Sequence, residues 1–134
     1  MLNKGLYHLQ TKNADLCFIE GAGGWRLPVG DSRYLSDWVI NQHLDVILAV
    51  NMKLGCLNHA ILTYQAIIQD GLNVLGWIAN SRVEQMPYYQ QNILSLSSII
   101  KSPLLAQIKH LKAPTEVNLS MHVDHGILRT LVNR

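Results

Sequence analysis

Short, uninterrupted apolar runs alternate along this chain with segments of helical periodicity, and this alternation constrains the fold more than any other feature. Residues 46–50 contain no polar side chain, which is typical of a strand covered on both faces. Residues 16–19 form a second such run, residues 73–79 a third that begins with Asn73, and residues 104–108 a weaker fourth that contains Gln107. Because strands that alternate with helices are connected as parallel pairs, the sequence predicts an α/β fold with a mainly parallel sheet and flanking helices.

The segments between these runs have the spacing of amphipathic helices. Apolar residues at intervals of three and four predict a buried stripe over residues 57–68, with Gly71 as a left-handed residue beyond the helix end. A second stripe covers residues 89–100. A shorter helix between the first two apolar runs is expected to have Asp31 or Ser32 as its N-cap.

Composition excludes several classes of protein. The chain has 134 residues, of which 49% are hydrophobic and 15% charged, so a disordered chain is excluded and a single domain over residues 1–134 is predicted. A net charge of +2 is too small for a nucleic-acid-binding surface. No apolar stretch is long enough to span a membrane, and residues 1–8 lack the apolar core of a signal peptide.

The cysteine content adds to this picture. Two cysteines do not make a disulfide framework in a chain of this length. Cys17 lies in an apolar run, where a reduced and buried thiol is expected. We therefore expect a cytoplasmic protein without nucleic-acid or membrane partners.

The first segment with candidate chemistry is residues 20–25, Glu-Gly-Ala-Gly-Gly-Trp. A carboxylate at the carboxyl end of a parallel strand lies where open α/β sheets bind metals and phosphates. Glycines allow the backbone amides to approach an anion. A tight turn that needs positive φ, with Glu20 solvated, explains the same residues equally well.

Two further segments follow apolar runs. Residues 53–59 open the long helix, so their amides form a helix N-terminus suited to a carboxylate or phosphate. Capping by Asn58 or Gly55 is the alternative. Asn80, followed by Ser81, ends the third run, and an Asn amide can pair with the edge of adenine. An Asn that begins a turn is the alternative.

Other patterns are weaker. His122 and His125, with Asp124, provide fewer ligands than a zinc site needs. No base is indicated beside Cys56, which argues against a nucleophile. The sequence contains no Gly-Lys dipeptide and therefore no phosphate loop of the form G-x-x-x-x-G-K-S/T.

Three segments in this order and spacing resemble the dethiobiotin synthetase family of biotin biosynthesis. They are residues 20–25, 54–60 and 76–80. The resemblance extends over residues 15–116 and covers the later half of the family's fold. It implies a P-loop NTPase-like fold that lacks the first strand, phosphate loop and helix.

The resemblance also implies an activity. The family is an ATP-dependent ligase that closes the ureido ring of dethiobiotin from 7,8-diaminononanoate and CO2, with Mg²⁺ and ATP, as a homodimer. Two alternatives remain open at this point. One is a non-catalytic remnant that folds, dimerises and binds the carboxylate ligand without ATP turnover, and the other is a different synthetase of the same superfamily.

The resemblance implies roles for particular residues. Gly55, Cys56 and Asn58 would hold the substrate carboxylate across a homodimer interface. Glu20 would bind magnesium. The segment Lys109–Leu111 lies where the family usually carries Pro-Trp. The residues that would bind the nucleotide are Glu20, Gly21, Ala22, Gly23, Asn80, Ser81, Lys109, His110, Leu111 and Glu116.

Overall fold

A computed structural model describes Tyr7 and residues 17–21, 23–82, 84, 86–112 and 123–132 of the chain. The chain divides into two compact units, Met1–His43 and Leu44–Arg134. The single domain expected over residues 1–134 stays a prediction.

The first unit contains an antiparallel hairpin and a short helix. Strand β1 (Pro28–Gly30) pairs with β2 (Arg33–Tyr34), and helix α1 (Leu35–Asn41) follows directly. Asp31 and Ser32 both have positive φ, +50° and +56°, as the turn of a two-residue hairpin requires. The expectation that one of them caps the helix was wrong because both form this turn.

The cap of α1 comes from within the helix. The backbone N–H of Tyr34 donates to Asp37 Oδ2 at 2.7 Å. An acidic residue in the first turn is also favourable beside the positive end of the helix dipole. The helix therefore begins one residue after β2 ends.

The described part of the apolar run 16–19 does not form the predicted strand. Residues 17–19 have no strand conformation, and Phe18 is 69% exposed. Cys17, expected to be buried, is exposed as well. An apolar run becomes a strand only when a neighbour takes up its backbone hydrogen bonds, and no described residue pairs with this one.

The second unit is built on a three-stranded parallel sheet. Strands β3 (Val46–Asn51), β4 (Val74–Asn80) and β5 (Leu104–Ile108) lie in the order β3-β4-β5. Three of the four predicted strands are therefore confirmed, and so is the α/β class with a parallel sheet and flanking helices.

Helices α2 (Cys56–Gln69), α3 (Tyr89–Ile99) and α4 (His125–Val132) complete this unit. The stripe predicted on α2 is confirmed at Ala60 and Ile67, which are buried. It was wrong at Ile68, which is 47% exposed, because one residue further along a helix turns away by about 100°. Gly71 has the predicted left-handed φ of +80°.

The core of this unit lies between the sheet and its helices. Trp77 and Leu96 are wholly buried, and Ile100 nearly so. The side chain of Leu105 on β5 lies against Gly76 on β4, so closely that a Cβ at Gly76 would lie 2.5 Å from Leu105 Cγ. None of the helices that the structure describes is long and apolar enough to cross a membrane.

Candidate functional site

The three parallel strands end side by side at one edge of the sheet. Asn51, Asn80 and Ile108 are the last residues of β3, β4 and β5 and are register partners. Met52 N donates to Asn80 O at 2.8 Å, and Ser81 N donates to Ile108 O at 2.7 Å. The segments that follow the strands therefore start from a common edge, which is where open α/β sheets bind their ligands.

The segment after β3 leads into the N-terminus of α2. Gly55 is the N-cap, with φ +85°, and Cys56 N donates to Lys53 O at 3.0 Å. No side chain caps this helix, so capping by Asn58 is not observed. Asn58 is exposed and Cys56 is buried. The first turn of α2 thus presents backbone amides and the positive end of a helix dipole.

A cavity opens where the segments after β4 and β5 meet. Its volume is about 480 Å³, within the usual range for a small-molecule site. Three residues predicted to bind a nucleotide, Ser81, Lys109 and His110, border the same cavity. The full lining is Ser81, Glu84, Met86, Pro87, Tyr89, Lys109 and His110.

Residues between 84 and 89 also line this cavity, and the sequence alone did not predict them as site residues. Tyr89 was assigned to the buried stripe of a helix, whereas it is half-buried and borders the cavity. Its hydroxyl oxygen is buried, with no hydrogen-bond partner among the described residues. Burial raises the pKa of this phenol above its ordinary value. An aromatic residue shortly after Asn80, at the edge where ligands bind, was the available signal.

The glycine-rich segment lies in the first unit. Gly23 and Gly24 have φ of +83° and +85°, so the expected need for positive φ is confirmed. Glu20 and Gly21 are exposed. The expectation that Glu20 ends a strand was wrong, because residues 17–19 form none.

Among the residues that the structure describes, metal binding would depend on single carboxylates. The described part of the chain contains no group of three His, Cys, Asp or Glu side chains that could hold a metal ion. A single exposed carboxylate such as Glu20 still fits Mg²⁺, which is usually bound through one or two carboxylates together with substrate phosphates.

Several predicted residues are not tested. Ala22, Glu116 and His122 lie outside the described residues. Leu111 is half-buried and follows His110 but does not border the cavity. His125 is the first residue of α4.

Known proteins match most of this chain. The model of a family described as "AAA domain" matches residues 2–117. The ATP-dependent dethiobiotin synthetase of Tolumonas auensis is 42% identical over 129 residues, which are 96% of this chain and 57% of the relative. An ATP-dependent dethiobiotin synthetase of Yersinia pestis is 44% identical over 92% of this chain and 55% of its own length. The one in Alteromonas mediterranea is 48% identical over 80% of this chain and 48% of its own length.

These matches include the segments 20–25, 54–60 and 76–80, on which the resemblance to the dethiobiotin synthetases was based. The chain spans about half the length of the curated relatives it matches. The resemblance to the dethiobiotin synthetases is thereby confirmed, and the chain belongs to the AAA domain family.

Proposed function

We propose that this chain is the part of an ATP-dependent dethiobiotin synthetase that holds the adenine end of ATP and the carboxylate of the diamine substrate. The observation that carries the proposal is the common strand edge in the second unit. The helix start at Gly55, the Asn80–Ser81 pair and the Lys109–His110 pair all follow strands that end there. The relatives named above support the choice of reaction.

In the proposed reaction, one amine of 7,8-diaminononanoate forms a carbamate with CO2 and releases a proton. A carbamate oxygen then attacks the γ-phosphorus of ATP, and ADP leaves. The second amine attacks the carbonyl carbon of this mixed anhydride, phosphate leaves and takes up the proton that this amine loses, and the ureido ring closes. This chemistry depends on positioning and charge neutralisation, because both reacting amines belong to one bound molecule.

The proposal gives this chain's residues binding roles. The half-buried side chain of Asn80 would donate to and accept from the adenine edge. The first turn of α2, at Cys56 and Asn58, would bind the substrate carboxylate. In the first unit, Glu20 would bind Mg²⁺, and Gly21, Ala22 and Gly23 would line the phosphates. A cytoplasmic location is part of the same proposal.

The adenine assignment can be tested with a matched pair of substitutions. Asn80→Asp keeps the size of the side chain but removes its donor, so ATP binding should weaken about tenfold and the preference for ATP over GTP should fall. Asn51→Asp makes the same change at the register partner one strand away, where no base contact is proposed. Titration calorimetry with both nucleotides measures the effect. Equal ATP affinities in both variants would contradict the assignment.

We also propose that the chain forms a homodimer through the face of α2 near Gly55–Tyr64. Leu54 is almost fully exposed and Leu62 is 57% exposed. The neighbouring Asn58 and His59 are exposed as well. Exposed leucines interspersed with polar residues are suited to a semi-polar interface.

Light scattering at high micromolar concentration should therefore find a dimer. Leu62→Lys should convert it to a monomer, because a buried, unpaired ammonium is costly. Leu94→Lys is the matched control, since this leucine is 64% exposed but lies on α3. A monomeric wild type, or a dimer that survives Leu62→Lys, would argue against this interface.

A further inference from the structure

The cavity at the end of β4 and β5 is bordered by an aromatic residue, Tyr89, to which no role has been assigned above. The residues that follow the strands, Ser81, Lys109 and His110, contribute polar groups to its lining. The segment leading into α3 contributes the apolar surface of Met86, Pro87 and Tyr89. A flat ligand with a polar rim, such as a nucleobase, matches a lining of this mixed kind.

Tyr89 is held in place by the start of α3. The preceding residue, Tyr88, is the N-cap of the helix and has a left-handed φ of +57°. Tyr88 is 74% exposed, whereas the first helical residue, Tyr89, is half-buried. One turn further along, the buried Ile93 anchors the helix in the core. The ring at the cavity is therefore attached to a packed helix rather than to a free loop.

The hydroxyl of Tyr89 is not what holds the ring in place. Its oxygen is buried and makes no hydrogen bond to any residue that the structure describes. A buried hydroxyl without a partner costs free energy, and a phenylalanine would fill the same space without that cost. Because the hydroxyl oxygen is buried, the ring is the part of the Tyr89 side chain that a ligand in the cavity could contact.

We propose that the ring of Tyr89 is the surface against which the nucleobase packs in this cavity. Tyr89 would hold the face of the base, while Asn80, which directly precedes the cavity-lining Ser81, would read its edge. The inference therefore rests on the proposed ATP binding. Stacking on an aromatic ring is tolerant of base identity. Tyr89 should therefore contribute to the affinity for every nucleotide, and Asn80 to the preference for adenine.

The experiment compares three variants of the whole chain by titration calorimetry with ATP, AMP and inorganic triphosphate. Tyr89→Leu should weaken ATP and AMP binding about tenfold and leave triphosphate binding unchanged, because loss of one base–aromatic contact typically has an effect of this size. Tyr89→Phe should bind all three ligands as the wild type does. Tyr88→Leu, one residue away and outside the cavity, should also match the wild type.

Each contrary outcome has a distinct meaning. If the wild type binds neither ATP nor AMP, the proposed function fails. If the wild type binds both and Tyr89→Leu binds them equally well, the role of Tyr89 is overturned and the proposed function stands. If Tyr89→Phe weakens binding as much as Tyr89→Leu, the hydroxyl is the contact and packing on the ring is refuted. Circular dichroism of each variant establishes that the fold is intact, and Tyr89→Met, which also lacks the ring, provides the readout should Leu unfold the helix start.

Discussion

At the scale of single residues, Gly55 combines a conformational requirement with a proposed binding role. Its φ of +85° disfavours ordinary side chains, while the space around a Cβ at this position is open. Asn and Asp tolerate left-handed backbone better than other residues. The position therefore admits a pair of substitutions that differ in charge alone.

This pair gives the first prediction. Gly55→Asp should weaken the binding of 7,8-diaminononanoate on the order of tenfold, because a negative charge at the start of α2 repels the substrate carboxylate and competes for the same dipole. Gly55→Asn should bind nearly as the wild type does. Titration calorimetry measures both affinities. A loss of equal size in the two variants would point to strain at this position rather than to an anion site.

Tyr89 provides a pH-dependent prediction. Burial raises the pKa of its phenol, so the folded state holds the proton to higher pH than the unfolded state does. The unfolded chain thus loses this proton first as the pH rises, and stability falls once the pH passes the ordinary tyrosine value near 10.

Urea unfolding at increasing alkaline pH checks this direction. Tyr89→Phe should show a smaller loss of stability above that pH than the wild type. Tyr88→Phe serves as the control, because Tyr88 is exposed. An identical decline in the wild type and the Tyr89→Phe variant would show that other groups account for it.

Part of the candidate site could be predicted residue by residue, and part could not. The positions of Gly55 and Asn80 follow from continuous apolar runs that end just before or at them, since such runs define where parallel strands end. Tyr89 was not recognised as a site residue because it also fits the apolar period of α3. Only the three-dimensional arrangement distinguishes a ring beside a cavity from a ring in the core.

At the scale of elements, similar apolar runs have different outcomes. The runs at 46–50, 73–79 and 104–108 became β3, β4 and β5, each with at least one parallel neighbour. The run at 16–19 is just as apolar, yet residues 17–19 form no strand. Apolarity therefore predicts which segments can enter a sheet, whereas the presence of a partner decides which segments do.

The contact between β4 and β5 gives a prediction at this scale. Gly76→Ala should lower the free energy of unfolding by about 1–3 kcal/mol, because the new Cβ would overlap the side chain of Leu105, which is itself buried. Leu105→Ala alone should cost about 2–5 kcal/mol by leaving a cavity. In the double variant, the added methyl occupies space that the truncated leucine has vacated.

A double-mutant cycle by urea unfolding tests this coupling. The double variant should lose clearly less stability than the sum of the two single variants. Strictly additive losses would show that the added methyl group and the side chain of Leu105 do not compete for the same space.

At the scale of the whole molecule, the chain consists of two units that carry different parts of the proposed chemistry. The second unit contains the sheet edge, the helix start and the cavity proposed for the substrate carboxylate and the adenine base. The first unit contains Glu20 and the glycines proposed for magnesium and phosphate. The relatives are about twice as long as the matched region.

This division leads to the last prediction, that the 134 residues alone bind the ligands weakly and do not synthesise dethiobiotin at ordinary enzyme rates. The sequence contains no phosphate loop with its lysine and hydroxyl, the groups that neutralise the β- and γ-phosphates during phosphoryl transfer. Loss of one such electrostatic donor typically lowers the rate about 10²–10³-fold. Glu20 does not replace them, because a carboxylate repels a polyphosphate unless Mg²⁺ lies between the two.

The measurement is the conversion of 7,8-diaminononanoate, bicarbonate and MgATP to dethiobiotin. A chimera that joins this chain to the part of the Tolumonas auensis synthetase outside the match should restore turnover, because we expect that part to supply the phosphate-binding groups that this sequence lacks. Turnover by the 134 residues alone would show that the phosphates are neutralised by groups other than a phosphate loop. A folded chimera that binds both ligands without turnover would instead favour a non-catalytic binding role, because phosphate binding would then no longer be the missing step.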